Sequence, residues 1–181
     1  MTFGDAVSLG WRRERDGSLP GVRVRLSEAN ELWGATMGSG EEPGRLLSAA
    51  EMRVGVAEFI RRVTARNRLP LDYSVASLRV VDRITDGLRG AGPERGSVAR
   101  ELFWLGAYAG EVFVRRAGAE WVDFDRGQQE LFGQLVGVRV PDGRVWNPIG
   151  KVAKRFAAGP EESVQQLYFL LHGRVPIKAA R

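Results

Sequence analysis

The chain has no cysteine, a single histidine and only three lysines among its 27 basic residues. Without thiols there are no disulfides, no thiolate nucleophile, no iron–sulfur cluster and no cysteine-ligated zinc. A Ser–His triad would have to use His172, and no G-x-S-x-G elbow presents a serine to it. Its place after the last helical pattern suits a cation at the negative end of a helix dipole. No Walker-type loop is present either: "GSGEEPG" lacks the lysine and is acidic where phosphate would sit, and "GLRGAGPERG" has glycines without a strand leading into a helix. No apolar run approaches the ~18 residues of a membrane span, and "MTFGDAVSLGWRRERDG" has no basic stretch followed by an apolar one. These absences point to a cytoplasmic protein with no membrane attachment, no cofactor, no metal site and no catalytic set. The preference for arginine over lysine fits a GC-rich bacterial genome.

What is there is a chain of 181 residues with a net charge of +5. A domain of this size typically buries roughly 70% of its unfolded surface, enough for a core without a metal or a disulfide. The positive balance favours anionic partners, although arginine is interleaved with the 22 acidic residues along the whole length.

"VRVRL", Val22 to Leu26, alternates at period two and pairs with "AVSLGWRRE" across a turn-rich segment, which predicts an N-terminal hairpin. "GATMGSGEEPG" reads as a linker, closing a first region of residues 1–45. From about Leu46 to Asn67 the period is helical, with Met52, Val56, Phe59, Ile60 and Val63 on one stripe, Arg53, Arg61 and Arg62 elsewhere, and Arg66 and Arg68 at the basic end. A second helix is expected from about Ser74 to Leu88, capped by Asp72 or Ser74 and buried through Leu78, Val81, Ile84 and Leu88.

"RELFWLGAYAGEVFVRR", Arg100 to Arg116, is the most apolar long run and yet carries Glu111. Read as a helix from Ser97, it gathers Leu102, Leu105, Gly106, Ala109, Val112 and Phe113 on one side. Trp104, Tyr108, Glu111 and Arg115 gather on the other, so the helix should be covered from both sides. Glu111 either closes an ion pair with Arg115 or a later cation, or lines a pocket or partner surface with its aromatic neighbours.

"EWVDFD" reads as a short strand, with Trp121 and Asp123 on one face, and "LVGVRVPDGRVW" as a hairpin with Val136, Val138 and Val140 inward. Asp123 and Asp125 would hold Mg²⁺ only if Glu111 or Asp82 joined them, and a solvated acidic pair is the simpler reading. A short helix on Ile149, Val152 and Phe156 should project Lys151, Lys154 and Arg155 away from its core side. Pro160 with Glu161 and Glu162 should then start a last helix buried by Val164, Leu167, Tyr168 and Leu171, up to a basic tail at 176–181.

Residues 71–171 thus run from "SVASLRVVD" through "GAYAGE" and "WV" to "PIGKVAKR". This order resembles a bacterial family of unknown function, whose members carry an S-x-x-S-L-x-x-x-D helix, a G-x-Y-x-G-E helix, a W-V strand and a P-x-x-x-V-x-K-R segment. The resemblance draws interest to Ser77, Asp82, Tyr108, Glu111, Trp121, Lys154 and Arg155 and implies no chemistry for them.

The sequence therefore predicts an α+β fold, a small antiparallel sheet with several helices packed on it, in which residues 46–175 form the core domain and the whole is one compact unit. The first functional expectation is a non-catalytic protein-interaction or accessory module, of the immunity or conflict-system type, with Trp104, Tyr108, Glu111, Arg115 and Trp121 as its binding face. The alternative is binding of nucleic acid or another polyanion through Arg61, Arg62, Lys151, Lys154 and Arg155. A third is a small enzyme that uses Glu111.

Overall fold

A computed structural model describes residues 47–67, 69–90 and 95–172. The expected hairpin and linker of the first 45 residues, the tail at 176–181, Arg68 and the side chain of Arg66 lie outside the described part.

Helix α1, Ala49–Asn67, starts at Ser48, whose N–H and hydroxyl both donate to the Glu51 carboxylate at 3.0 and 2.8 Å. The Ala49 N–H donates to Asp123 Oδ1 at 2.8 Å, so one of the helix's orphan donors is satisfied from 74 residues away. Met52, Val56 and Phe59 are buried, with Ile60 and Val63 packed beside them, as the periodicity predicts. Burying a side chain of this kind contributes about 1.5–3 kcal/mol.

A 3₁₀ turn, Val75–Ser77, leads into α2, Leu78–Gly90. Both anticipated caps act: Ser74 Oγ accepts from the Ser77 N–H, and Asp72 accepts from the Ser74 N–H. The α-helix itself begins after Ser77 rather than at Ser74.

Helix α3, Arg95–Ala117, starts upstream of Ser97 and is the hub of the fold. It is covered on both sides: Leu102, Leu105, Ala109, Val112 and Phe113 are buried, and so are Tyr108 and Glu111. Its closest neighbour is α5, Pro148–Ala158. A Cβ on Gly106 would collide with the Ile149 backbone, so this glycine sets how near the two helices come.

The sheet is antiparallel in the order β1, Glu120–Asp123, β2, Val136–Arg139, and β3, Val145–Trp146, with Trp121 opposite Val138. Val136, Val138 and Val140 face the core, and Gly143 takes φ +86° in the hairpin turn. Between β1 and β2 lies α4, Arg126–Phe132, which the sequence reading passes over. Its start is a capping box: Asp125 accepts from the Gln128 N–H, and the Gln128 side chain accepts from the Asp125 N–H. Asp125 caps α4 and Asp123 accepts from the first N–H of α1, so the two exposed carboxylates serve different helices, while Glu111 and Asp82 pair elsewhere. Among the described residues no group of His, Asp and Glu is arranged to hold a metal.

Asn147 caps α5 by accepting from the Gly150 N–H at 2.7 Å, and Gly159, at φ +100°, ends it. The last helix also differs from expectation. Pro160–Glu162 forms a separate 3₁₀ turn, and α6, Val164–His172, begins after Ser163. The reason lies in α2: Asp82 accepts from the Val164 N–H at 2.9 Å and from the Ser163 hydroxyl at 2.6 Å, which fixes the helix start there. Ser163 Oγ in turn accepts from the Gln166 N–H.

The described residues are α+β, with five of the six helices and the sheet contributing to one hydrophobic cluster and α4 outside it. None of these helices is long and apolar enough to cross a membrane.

Candidate functional site

Glu111 is 0% exposed. A carboxylate without water needs donors, because burying an unpaired charge is far more costly than burying a paired one. Two side chains supply them, and a third adds its charge. Arg115 Nε donates to Oε1 at 2.8 Å, Arg53 Nε lies 3.4 Å from the same oxygen, and the Trp121 indole N–H donates to Oε2 at 3.2 Å. The cluster thereby ties α1, α3 and β1 together. A Cβ at Gly110 would collide with the Trp121 ring, so the missing side chain there makes room for the indole to reach Glu111.

The two arginines face outward as well: the Arg53 side chain is 66% exposed and that of Arg115 is 41% exposed. The Arg115 guanidinium carbon lies 3.6 Å from the centre of the Tyr73 ring, a cation–π contact. Tyr73 is itself the one non-glycine residue among those described with positive φ, at +59°. Its backbone is held from α3 at both ends, since its N–H donates to Tyr108 Oη at 2.9 Å and its C=O accepts from Arg116 Nε at 2.9 Å.

Tyr108 is buried, and its hydroxyl is spoken for. Ser77 Oγ donates to the Ser74 C=O at 2.6 Å, which leaves it to accept from Tyr108 at 2.6 Å. Burial raises the Tyr108 pKa above the usual phenol value, against the pull of its bonds with Ser77 and Tyr73. Trp104 lies apart from this cluster. Its ring covers Gly55 of α1 and stacks on Phe59, with centroids 6.1 Å apart. The five residues expected as one binding face therefore separate. Glu111, Arg115 and Trp121 meet directly, Tyr108 joins them through Tyr73, and Trp104 packs between α1 and α3.

The expected anion-binding group does not assemble as a patch. Arg155 points inward, with 6% of its side chain exposed, because its guanidinium serves two carboxylates and two carbonyls. Its Nε lies 3.3 Å from Asp82 Oδ1 and donates to the Asp82 C=O, one Nη donates to Asp86 at 2.6 Å, and the other to the Pro160 C=O at 3.0 Å. Lys151 and Lys154 both pair with Glu162, at 2.5 and 2.7 Å. Burial pushes the Glu162 carboxyl up, and the hydrogen bonds and charges of the two lysines outweigh it, holding the group below its ordinary range. Arg61 and Arg62 are exposed on α1, far along the chain from these residues, and Arg61 lies 3.5 Å from Glu58.

His172 closes α6 not as a cation but as a partly buried imidazole, 5.0 Å from the Tyr168 ring and 5.7 Å from Phe113, centroid to centroid. Burial, and then the Arg144 charge, lower its pKa against the opposing pull of Asp142, so the neutral form dominates at pH 7.

The residues that carry the motif resemblance pair with one another: Ser77 with Tyr108, Asp82 with Arg155, Glu111 with Trp121. Sequence reasoning missed Arg53, Tyr73, Asp86 and Ser163. Only Ser163 carried a local signal, as a serine three residues before Gln166 at a helix start. Comparison of the chain with protein-family models, with curated proteins and with solved structures finds no match.

Proposed function

We propose that this chain is a non-catalytic protein-interaction module of a bacterial cytoplasm, and that its contact face is the basic surface where α1 meets the C-terminal end of α3. One observation carries the reading. The groups best suited to chemistry, Glu111 and Tyr108, are buried and saturated by their neighbours, while the arginines that Glu111 holds present their outer sides to solvent. A general base must reach a substrate proton, and a carboxylate with no exposure reaches none, which speaks against the enzyme reading. A role as an immunity or accessory component rests on analogy with other small α+β domains.

The face is suited to an acidic partner. Arg53 and Val54 are exposed on α1, Val54 as an apolar contact, and Arg115 and Arg116 are exposed on α3, with Arg53 and Arg115 meeting at Glu111. The alternative, nucleic-acid binding, loses Arg155, Lys151 and Lys154 to internal ion pairs and keeps Arg61 and Arg62. The test is a pull-down from the native host with the wild type and with Arg53→Gln. A protein retained by the first and released by the second supports the reading. Identical captures, or retention of nucleic acid alone, contradict it.

A further inference from the structure

The way the two arginines are attached says more than that the face is basic. Both come nearest Glu111 through Nε and at the same oxygen, Oε1, Arg115 by a hydrogen bond at 2.8 Å and Arg53 as an ion pair at 3.4 Å, so one carboxylate draws both guanidinium groups to it. Among the described residues no hydrogen-bond acceptor meets their terminal Nη groups. Arg115 cannot swing freely, because its guanidinium sits over the Tyr73 ring, and that ring in turn packs against Tyr108 at a tilt of 34°, with centroids 5.1 Å apart. Arg116 is fixed next to it by its Nε bond to the Tyr73 carbonyl. One carboxylate serves two guanidinium groups here, so a positive charge is left over, and Asp72, tied to the Ser74 N–H, lies at the Arg116 edge. A guanidinium fork held in advance at Arg115, with the more exposed Arg53 drawn to the same carboxylate, suits an anion with several oxygens arranged around one centre, because a fork engages two oxygens and Arg115 has little side-chain freedom left to lose.

We propose that Arg53 and Arg115, both drawn to Glu111 and the second backed by Tyr73, form a binding site for a phosphate monoester group. The inference rests on this face being the contact surface and adds the chemistry that it recognises. Glu111, Trp121 and Tyr73 are positioning residues, since they act through the arginines. The monoester can come from a phosphorylated side chain of a partner protein or from free phosphate, and the two are separable by experiment.

The test is an NMR titration of the full chain that follows the Arg Nε–H and Trp indole N–H signals. The probes are inorganic phosphate, a phosphoserine peptide, its unphosphorylated form, acetate and a short DNA duplex. Phosphate should shift the Arg53, Arg115 and Trp121 signals with a Kd of about 1 mM or below. A tighter phosphopeptide names a protein source, and equal affinities name the free anion. Arg53→Gln should weaken binding by about tenfold, the worth of one lost charged hydrogen bond, while the protein stays folded under the conditions of the titration. Arg53→Lys, which keeps the charge and loses the fork, should recover only part of it. Absence of shifts, equal response to acetate, or tighter binding of duplex DNA than of the phosphopeptide would overturn the assignment. A protein partner still lost on Arg53→Gln while phosphate fails to bind would leave the interaction module standing and remove only the phosphate site.

Discussion

Arg155 and Glu111 are buried charges of opposite sign, each met by two ions of the other sign, and they differ in what surrounds the excess. Around Arg155, Asp82 is buried with it and also accepts from the Val164 N–H and the Ser163 hydroxyl, while Asp86, its side chain 39% exposed, keeps the surplus negative charge at the edge. That cluster links α2, α5 and α6, and its Arg155–Asp82 pair is shut off from water on both sides. Around Glu111 the surplus is positive and stays at the surface on Arg53 and Arg115. Equal stoichiometry therefore serves two ends. The closed cluster fixes a helix start, and the open one fixes the direction of two cations. Ion pairs whose partners are both desolvated are costly to break from one side, whereas pairs with an exposed partner contribute little to stability.

The sharpest break in the comparison comes from removing one arginine from each cluster. Arg155→Ala leaves the buried Asp82 carboxylate without its counter-charge, held only by the Val164 N–H and the Ser163 hydroxyl, and should cost about 3–5 kcal/mol in urea unfolding. Arg53→Gln, whose side chain is mostly solvated, should cost no more than about 1 kcal/mol. Comparable losses would erase the distinction between closed and open clusters.

A smaller effect is expected at the polar link that supports the open cluster. Tyr108→Phe deprives Ser77 of its donor and the Tyr73 N–H of its acceptor, and should cost about 1–3 kcal/mol. Amide exchange at Tyr73 should speed up with it. Unaltered exchange would mean that Tyr108 does not hold the loop beneath Arg115.

The smallest effect lies outside both clusters. The His172 pKa is lowered in the folded chain, chiefly by burial and then by Arg144, while in the unfolded chain it is about 6.5. The unfolded state thus takes up the proton first as pH falls. Stability carried by the neutral imidazole should be complete above about pH 7 and decline as pH drops through 6.5 toward the folded value. His172→Leu should flatten that part of the stability profile. Parallel profiles for the two proteins between pH 7 and 5 would show that the ring does not titrate in this way.

The α+β class, α1, α2, the hairpin and the two covered sides of α3 were legible in the sequence because each is a local pattern. Met52, Val56 and Phe59 repeat at helical spacing, and Val136, Val138 and Val140 alternate. The Glu111–Arg115 pair was legible for the same reason, as an i,i+4 spacing on one helix. Trp121 was named on the same face as Glu111, but its hydrogen bond to the carboxylate and the part of Arg53 were not legible, since nothing local says which distant element a buried carboxylate will draw donors from. The same limit explains Arg155: its helical position puts it beside Lys154, and only the packing of α2 against α5, which brings Asp82 and Asp86 to it, turns it inward. Helix α4 had a local signal, Asp125 with Gln128 and Gly133, which its few apolar residues masked. The start of α6 depended on Asp82, 82 residues earlier in the chain.

Central to all of this is that Glu111 stabilises the fold and aims two arginines, rather than meeting a substrate. The direct test is the unfolding free energy of Glu111→Gln in urea at pH 7. Replacing the carboxylate leaves Arg115 and Arg53 without their shared counter-charge and weakens the acceptor of the Trp121 N–H. The expected result is a loss of about 1–3 kcal/mol. A variant at least as stable as the wild type would contradict it, because groups kept for binding or catalysis are often retained at a cost to stability.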